Sequence, residues 1–169
     1  MNKSLREKLE STFKNIQVTA VDGNRMVVTA EKRSISAILM SLKEASFDHL
    51  ALISAVDYIE DNEFELCYII TCYMQDQDSE ANDLHIILKT RIARESPDFK
   101  TVIDIYPNAE PYEREIHELF GIKFEGHPRL TPLLLEREYE IPPFRKDFDT
   151  RKYVKDLFDN IPSVEIEKK

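Results

Sequence analysis

The sequence predicts an α+β fold: a mostly antiparallel sheet with helices packed on one face, followed by an irregular extended C-terminal arm. Alternating apolar residues between Phe64 and Met74 are typical of a strand that buries one face. Apolar residues at helical spacing after Ser34 are typical of a helix that packs on such a sheet. Beyond Gly121 the chain combines closely spaced prolines with apolar residues, which excludes a long helix or a central strand there. With 169 residues, the chain is long enough for one domain and its tails.

The first 44 residues predict a helix, a hairpin and a second helix. Leu5, Leu9 and Phe13 recur at every fourth position, which is typical of an amphipathic helix. IQVTAV and RMVVTA are predicted to be hairpin strands, because the turn Asp22-Gly23-Asn24 supplies the positive φ that tight hairpins require. Ser34 is suited to cap the second helix. The core-facing positions of that helix are Ile35, Ile38, Leu39 and Leu42.

The middle of the chain predicts three strands. HLALISAVDYI is largely apolar, and EDNE after it is a turn. In FELCYIITCYM one face is predicted to be buried. That face carries Phe64, Leu66, Tyr68, Ile70, Cys72 and Met74. The polar run QDQDSEAND is predicted to be a loop, and DLHIILKTRIA a third, antiparallel strand with Leu84, Ile86 and Leu88 on one side.

A short amphipathic helix is predicted just before Gly121. Asn108 is suited to its N-cap, and Gly121 can adopt the left-handed conformation that ends a helix. The core-facing positions are Tyr112, Ile116, Leu119 and Phe120. Arg114 and Glu118 fall on the opposite side and are predicted to be exposed to solvent.

The segment 122–148, called the arm below, is apolar but irregular. Its prolines are Pro128, Pro132, Pro142 and Pro143. Its apolar residues are Leu130, Leu133, Leu134, Leu135, Ile141, Phe144 and Phe148. Such a series of side chains must be buried on another protein or on its own domain, and we interpret the arm as a docking element. The alternative is that the arm folds back and completes its own core. The predicted organisation is an α+β domain at 1–121, the arm at 122–148, and a charged tail at 149–169 with a helix that frays.

Net charge and hydropathy narrow the choice of partners. The net charge of −9 and the sequence pI near 5.0 argue against nucleic acid and against an anionic membrane surface. No run approaches the roughly 20 apolar residues of a bilayer-spanning helix, and MNKSLREKLE lacks an apolar signal core. We therefore expect a cytoplasmic chain whose partners are proteins.

The sequence contains no recognisable catalytic or cofactor-binding motif. Cys67 and Cys72 lie on one predicted strand, roughly 16 Å apart at about 3.3 Å per residue, too far for a disulfide. Two cysteines also cannot supply the four thiolates of an iron–sulfur cluster. The glycines at 23, 121 and 126 cannot build a glycine-rich nucleotide loop. No catalytic residue and no cofactor of the chain's own is expected.

One metal-binding alternative has to be considered. Glu113 and His117 are four residues apart on a predicted helix, and His127 could supply a third ligand. A stand-alone metal-dependent hydrolase would require these three side chains to converge. HELFG, however, contains only one histidine, whereas the HExxH signature has two.

Several motifs resemble a known family. EREIHELFGI, FEGHPRL, LLL and RKDF, in this order and spacing, resemble the 30-kDa subunit family of respiratory complex I, the NADH:quinone oxidoreductase, shared with energy-converting membrane-bound hydrogenases. ISAVDY, FELCYII and TVIDIYPNAEPYERE extend the resemblance over residues 16–148. The sequence departs from the family at Glu118, where Asp is common, and at His117, where an aromatic or aliphatic residue is frequent.

The resemblance implies a cofactor-free, hydrophilic peripheral subunit without a catalytic site. It would hold the large catalytic subunit, of the 49-kDa or hydrogenase type, next to the cluster-bearing small subunit at the cytoplasmic face of the membrane. The residues of the matching motifs expected at this interface are Glu113, Arg114, Glu115, Phe120, Gly121, Gly126, His127, Pro128, Arg145, Lys146, Asp147 and Phe148. A further alternative is a stand-alone protein-interaction module that uses the same arm outside any redox complex.

Overall fold

The computed structural model describes residues 2–22, 24–72, 84–136 and 139–157. The helices in these residues are α1 (Asn2–Thr12), α2 (Ile35–Glu44), α3 (Ala109–Phe120) and α4 (Thr150–Leu157). The longer strands are β1 (Gln17–Asp22), β2 (Arg25–Thr29), β3 (His49–Tyr58), β4 (Glu63–Thr71) and β5 (His85–Ala93). Two short strands, β6 (Asp98–Lys100) and β7 (Lys123–Glu125), flank α3 in the sequence.

The main sheet has five strands in the order β1-β2-β5-β4-β3. The neighbours are antiparallel except for β2 and β5, which run parallel with Val28 opposite Leu88. The predicted α+β fold with a mostly antiparallel sheet is therefore confirmed. The parallel pair makes the sheet mixed, because β5 is inserted between the N-terminal hairpin and β4.

One face of the sheet forms the core. On β4, Phe64, Leu66, Tyr68 and Ile70 are completely buried, as the alternation predicted. The predicted buried faces of α2 and β5 are also confirmed, since their apolar positions are buried. Cys72 lies just beyond the end of β4 and is half-buried, whereas Met74 and Gly23 lie outside the described residues.

The three predicted helix-end residues, Ser34, Asn108 and Gly121, lie at helix ends. Gly121 has φ of 76° and ends α3 in the left-handed conformation. Asn108 and Ser34 occupy the N-cap positions of α3 and α2, but neither side chain makes a cap hydrogen bond. Asn108 instead donates from Nδ2 to Leu50 O at 2.7 Å, which places α3 against β3.

A second, two-stranded sheet was not predicted. The strands β6 and β7 pair in parallel, with Phe99 opposite Phe124. Ile122 and Phe124 are buried in the core, so the first residues of the arm, 122–125, belong to the body of the domain. The irregular part of the arm begins at 126, because residues beyond β7 have no pairing strand among the described residues.

The tail begins with the predicted helix, α4, whose Tyr153 ring packs on the arm. Its ring centroid lies 5.7 Å from that of Phe148 and 5.1 Å from that of Tyr139. Among the described residues, no helix has the length and apolarity needed to cross a membrane.

Candidate partner-binding surface

The arm lies along α3, and Arg114 makes the first attachment. Its guanidinium donates from Nε to Thr131 O at 3.1 Å and from Nη2 to Pro132 O at 2.9 Å. It also contacts Glu110, one turn earlier on α3, at 3.4 Å. Arg114 is consequently only 8% exposed, and the prediction that it faces solvent is wrong. The arm covers the side of the helix that the sequence pattern assigned to water.

Glu118 makes the second attachment. Its carboxylate accepts hydrogen bonds from three consecutive backbone N–H groups: Leu133 at 2.9 Å, Leu134 at 3.0 Å and Leu135. Partial burial acts to raise the pKa of Glu118, but these backbone donors and the nearby Arg114 guanidinium hold the pKa below its usual range. The carboxylate therefore stays ionised and keeps this stretch of the arm next to α3.

The far end of the arm returns to the C-terminus of α3. Phe144 N donates to Leu119 O at 3.0 Å, and Arg145 Nε donates to Phe120 O at 2.7 Å. Both acceptors are helix-terminal carbonyls that lack a partner within the helix. Arg145 also lies over the Phe64 ring, with Cζ 5.2 Å from the centroid. Arg145, a residue of the arm, thus caps the C-terminus of α3.

A chain of ion pairs that begins at a buried aspartate holds the end of the arm to the sheet. Asp57 on β3 is 3% exposed and accepts two hydrogen bonds from Arg94, at 2.9 and 3.2 Å. Asp57 also accepts from Lys146 N at 2.8 Å, and Arg94 contacts Asp147 at 2.5 Å. The hydrogen bond from Arg94 to Asp57 raises the pKa of Arg94, so the arginine stays charged between the two carboxylates.

Held in this way, the arm exposes four large apolar side chains. Leu133 is 39% exposed, Leu134 65%, Ile141 40% and Phe144 59%. These four residues are called the arm surface below. Leu130 and Leu135, by contrast, pack against the core, and the Phe144 ring meets the Phe120 ring edge-on at 5.8 Å. The arm is therefore attached to its own domain while part of its apolar area faces outwards.

Glu113, predicted as a charged contact with a partner, lies inside the domain. It is 0% exposed and accepts from Thr101 Oγ1 at 2.6 Å and from Val102 N at 2.8 Å. Burial raises the pKa of Glu113 to about 7, although the two hydrogen bonds act in the opposite direction. Glu113 ties α3 to the segment that precedes it, and its side chain is covered by this chain itself. Glu115 is half-buried, and we find no hydrogen bond or ion pair between its carboxylate and another described residue.

Gly126, His127 and Pro128 form a turn that packs against the start of α3. Gly126 has φ of 83°. His127 Nε2 lies 3.2 Å from Glu110 O, and its Nδ1 accepts from Arg129 N at 3.0 Å. These two contacts require the neutral tautomer with hydrogen on Nε2, because Nδ1 is an acceptor.

The three residues considered for a metal site have separate partners. His117 Nδ1 lies 2.9 Å from Ile122 O, while His127 and Glu113 are engaged as described above. Within the described ranges, no group of three His, Cys, Asp or Glu side chains could hold a metal ion. This arrangement does not support a hydrolase that uses Glu113, His117 and His127.

Sequence reasoning missed the residues of the body that hold the arm. Asp57 and Arg94 are far from the arm in sequence, and their positions in the strand pattern carry no signal of an ion pair. Glu118 was predicted to be exposed and was named as a departure from the family, but it was not predicted to hold the arm. Its position one turn after Arg114 offered a weak signal, because residues four apart share one helix face.

Comparison with known proteins gives a family match over most of the chain. The family described as "Respiratory-chain NADH dehydrogenase, 30 Kd subunit" matches residues 26–154. The C subunit of the F(420)H(2) dehydrogenase of Methanosarcina mazei is 40% identical over 104 residues, which are 61% of this chain and 61% of that relative. The C subunit of the NADH-quinone oxidoreductase of Bartonella quintana is 31% identical over 95% of this chain and 79% of its own length. The corresponding protein of Moorella thermoacetica is 33% identical over 84% of this chain and 91% of its own length.

Two solved structures agree with the fold. A chain of the membrane-bound sulfane sulfur reductase, an archaeal respiratory membrane complex, has a TM-score of 0.83 and 29% identity, covering 99% of this chain and 96% of that chain. Nqo5, as a trypsin-resistant fragment, has a TM-score of 0.65 at 24% identity, covering 76% of this chain and 98% of that chain, which supports the fold alone. The resemblance found in the sequence motifs is thus confirmed. Since the family match runs from β2 into α4 and includes every attachment of the arm to α3, the chain belongs to the 30-kDa subunit family of the respiratory-chain NADH dehydrogenase.

Proposed function

We propose that this chain is a peripheral subunit of a complex I-type NADH:quinone oxidoreductase or of a related energy-converting complex. Its role is to hold the large catalytic subunit, of the 49-kDa or hydrogenase type, next to the small subunit that carries the terminal iron–sulfur cluster. It contributes no cofactor and no catalytic residue of its own. It contacts the membrane only through the complex, on the cytoplasmic face.

The observation that carries this proposal is the arm surface. The exposed apolar side chains of the arm surface belong to a backbone that has a fixed position. Arg114, Glu118 and Arg145 hold that backbone through hydrogen bonds. A surface that is both apolar and preorganised loses little conformational entropy when a partner covers it. This is the property expected of a structural subunit.

Family membership supports the proposal that the chain is a subunit of a respiratory complex. The names of the relatives describe subunits of dehydrogenases that act on NADH or F(420)H(2), and one structural neighbour is a chain of a respiratory membrane complex. The acidic chain, with a net charge of −9, favours protein partners over an anionic lipid surface.

The test is affinity purification of the tagged chain from its native host in mild detergent, with mass spectrometry of the subunits that accompany it. We expect the large subunit and the cluster-bearing subunit in similar amounts. The variant Ile141→Asp places a charge in the arm surface and should lower their recovery. Met40→Asp, at an exposed apolar residue of α2, is the matched control and should leave recovery unchanged. Purification of the wild-type chain without either subunit would overturn the proposal.

A further inference from the structure

The hydroxyl group of Tyr68 lies in the core without a hydrogen-bond partner among the described residues. Tyr68 is 0% exposed, so its hydroxyl cannot reach the solvent around the protein. A buried hydroxyl without a partner destabilises the folded state, and most buried polar atoms in proteins bond either to another protein group or to an internal water. The groups around Tyr68 therefore decide which kind of partner fits there.

Tyr68 lies next to the buried carboxyl group of Glu113. The rings of Tyr68 and Phe99 pack with their centroids 6.1 Å apart. Thr101, two residues after Phe99, donates from Oγ1 to the Glu113 carboxylate at 2.6 Å. Burial is the main reason why the pKa of Tyr68 is raised, and the nearby charge of Glu113 adds to it. The two side chains are therefore neighbours, although no direct hydrogen bond joins them.

The Glu113 carboxylate has the capacity to accept a further hydrogen bond. Its oxygens accept one bond from Thr101 Oγ1 and one from Val102 N, whereas an ionised carboxylate offers about four acceptor positions. A water molecule would accept from the Tyr68 hydroxyl and donate to this carboxylate. When Glu113 is protonated, its O–H would donate to the water, and the water would donate to the Tyr68 oxygen. A bridging water thus satisfies both groups in either protonation state of Glu113.

We propose that one internal water molecule bridges the Tyr68 hydroxyl on β4 and the Glu113 carboxyl group on α3. Internal waters have about two to four polar partners, and these two groups supply that minimum. A metal ion fits less well, because the described residues contain no group of three His, Cys, Asp or Glu side chains that could hold one. A buried anion would add a second uncompensated charge beside the carboxylate. The site lies inside the domain, so this inference goes beyond the proposed function and depends on no partner subunit.

A crystal structure of the whole chain, at a resolution that shows ordered water, tests the site without any substitution. We expect a density peak within hydrogen-bond distance of both Tyr68 Oη and a carboxylate oxygen of Glu113. The absence of such a peak, or a direct bond between the two side chains, would overturn the proposal.

The variant Tyr68→Phe tests the bridge in solution, with the pH titration of the Glu113 carboxyl group followed by NMR. The phenylalanine keeps the ring that packs on Phe99 and removes only the hydroxyl. Loss of a water-mediated bond that favours the charged carboxylate should move the midpoint of the Glu113 titration to higher pH by up to about one unit. A hydroxyl that has no link to Glu113 would give an unchanged midpoint on removal, and this result would overturn the proposal.

Tyr106→Phe is the matched control, because it removes a different buried tyrosine hydroxyl. Tyr106 is 1% exposed and donates to Phe47 O at 2.7 Å, so its substitution should lower the free energy of unfolding but leave the midpoint of Glu113 unchanged. An equal shift of that midpoint in both variants would show that any loosening of the core changes the titration, and the bridge would be rejected. Circular dichroism melting checks that both variants are folded.

Discussion

At the scale of single residues, Glu113 is a carboxyl group that the fold buries completely. It has two hydrogen-bond donors but no cation among its hydrogen-bond and ion-pair partners within the described part of the chain. The hydroxyl of Tyr68, also buried, has no hydrogen-bond partner there, and burial together with the charge of Glu113 raises the pKa of Tyr68. An uncompensated carboxylate in such a place favours its protonated form.

We expect the free energy of unfolding to depend on pH because Glu113 favours its protonated form in the folded chain. The pKa of Glu113 is about 7 in the folded chain against 4.5 for the free group, so the folded state binds the proton more tightly. Its contribution to stability is complete below about pH 4.5 and is lost as the pH rises through 7, by about 3 kcal/mol in all. In Glu113→Gln, the free energy of unfolding measured with urea should change less with pH between pH 5 and 8. In Glu115→Gln, its slope against pH should be the same as in the wild-type chain. An unchanged slope in Glu113→Gln would assign the proton to another group.

Gly121 has a left-handed backbone conformation and lies in close contact with the arm. With φ of 76°, an alanine there costs about 1–2 kcal/mol in backbone strain. Its Cβ would also lie 2.9 Å from Arg145 Nη2 and 3.0 Å from Pro142 Cγ. Gly126→Ala, at φ of 83° but with only Thr101 Cγ2 nearby at 3.2 Å, is the matched control. We expect Gly121→Ala to lower the melting temperature more, and equal losses would show that the arm yields freely to the added methyl group.

At the scale of elements, α3 has three contact faces. Ile116 and Phe120 face the core, and Tyr112 donates from its hydroxyl to Ala51 O at 2.9 Å on the edge strand β3. Arg114 and Glu118 hold the arm on the remaining side. The helix α3 thus determines the position of the arm surface relative to the sheet.

Removal of Arg145 tests whether the arm can be loosened without unfolding the body. Arg145→Ala loses the bond to Phe120 O but no buried apolar residue of the core, so the isolated chain should stay folded while recovery of the partner subunits falls. Arg33→Ala is the control, because the Arg33 side chain is 77% exposed and forms an ion pair with Glu31, outside the arm. Should the loss of melting temperature account for the whole loss of binding, Arg145 belongs to the fold.

At the scale of the whole molecule, the arm is attached at several points before any partner is present. Its bonds to α3 and its bonds to Asp57 and Arg94 lie on two different parts of the body. The chain should therefore present the arm surface in solution as it stands here.

Hydrogen exchange on the isolated chain provides the measurement. The amides of Leu133, Leu134, Phe144 and Lys146 all donate to acceptors in the body, so they should exchange more slowly than random coil although they lie outside helices and strands. Glu136, an exposed residue whose N–H donates no hydrogen bond to another described residue, is an internal reference for fast exchange. Random-coil exchange at all four amides would show that the arm is ordered only by its partner.

Local sequence pattern was sufficient to predict the five strands of the main sheet, α2, α3, the end at Gly121 and the family. Alternation and helical spacing depend on neighbouring residues, and the family motifs are contiguous, so neither requires knowledge of distant contacts. The pattern also predicted that the segment after Gly121 is apolar and irregular.

Only the tertiary structure decided the order of the strands, the burial of Glu113 and Arg114, and the attachment of the arm. Asp57 accepts from Lys146 across 89 residues of sequence, and β5 pairs in parallel with β2 across a long connection. A helix face that looks polar can be covered by a distant segment whose backbone supplies the hydrogen-bonding partners. Periodicity shows which face is polar, but it carries no information on what lies against that face, because that contact is made by residues far away in the chain.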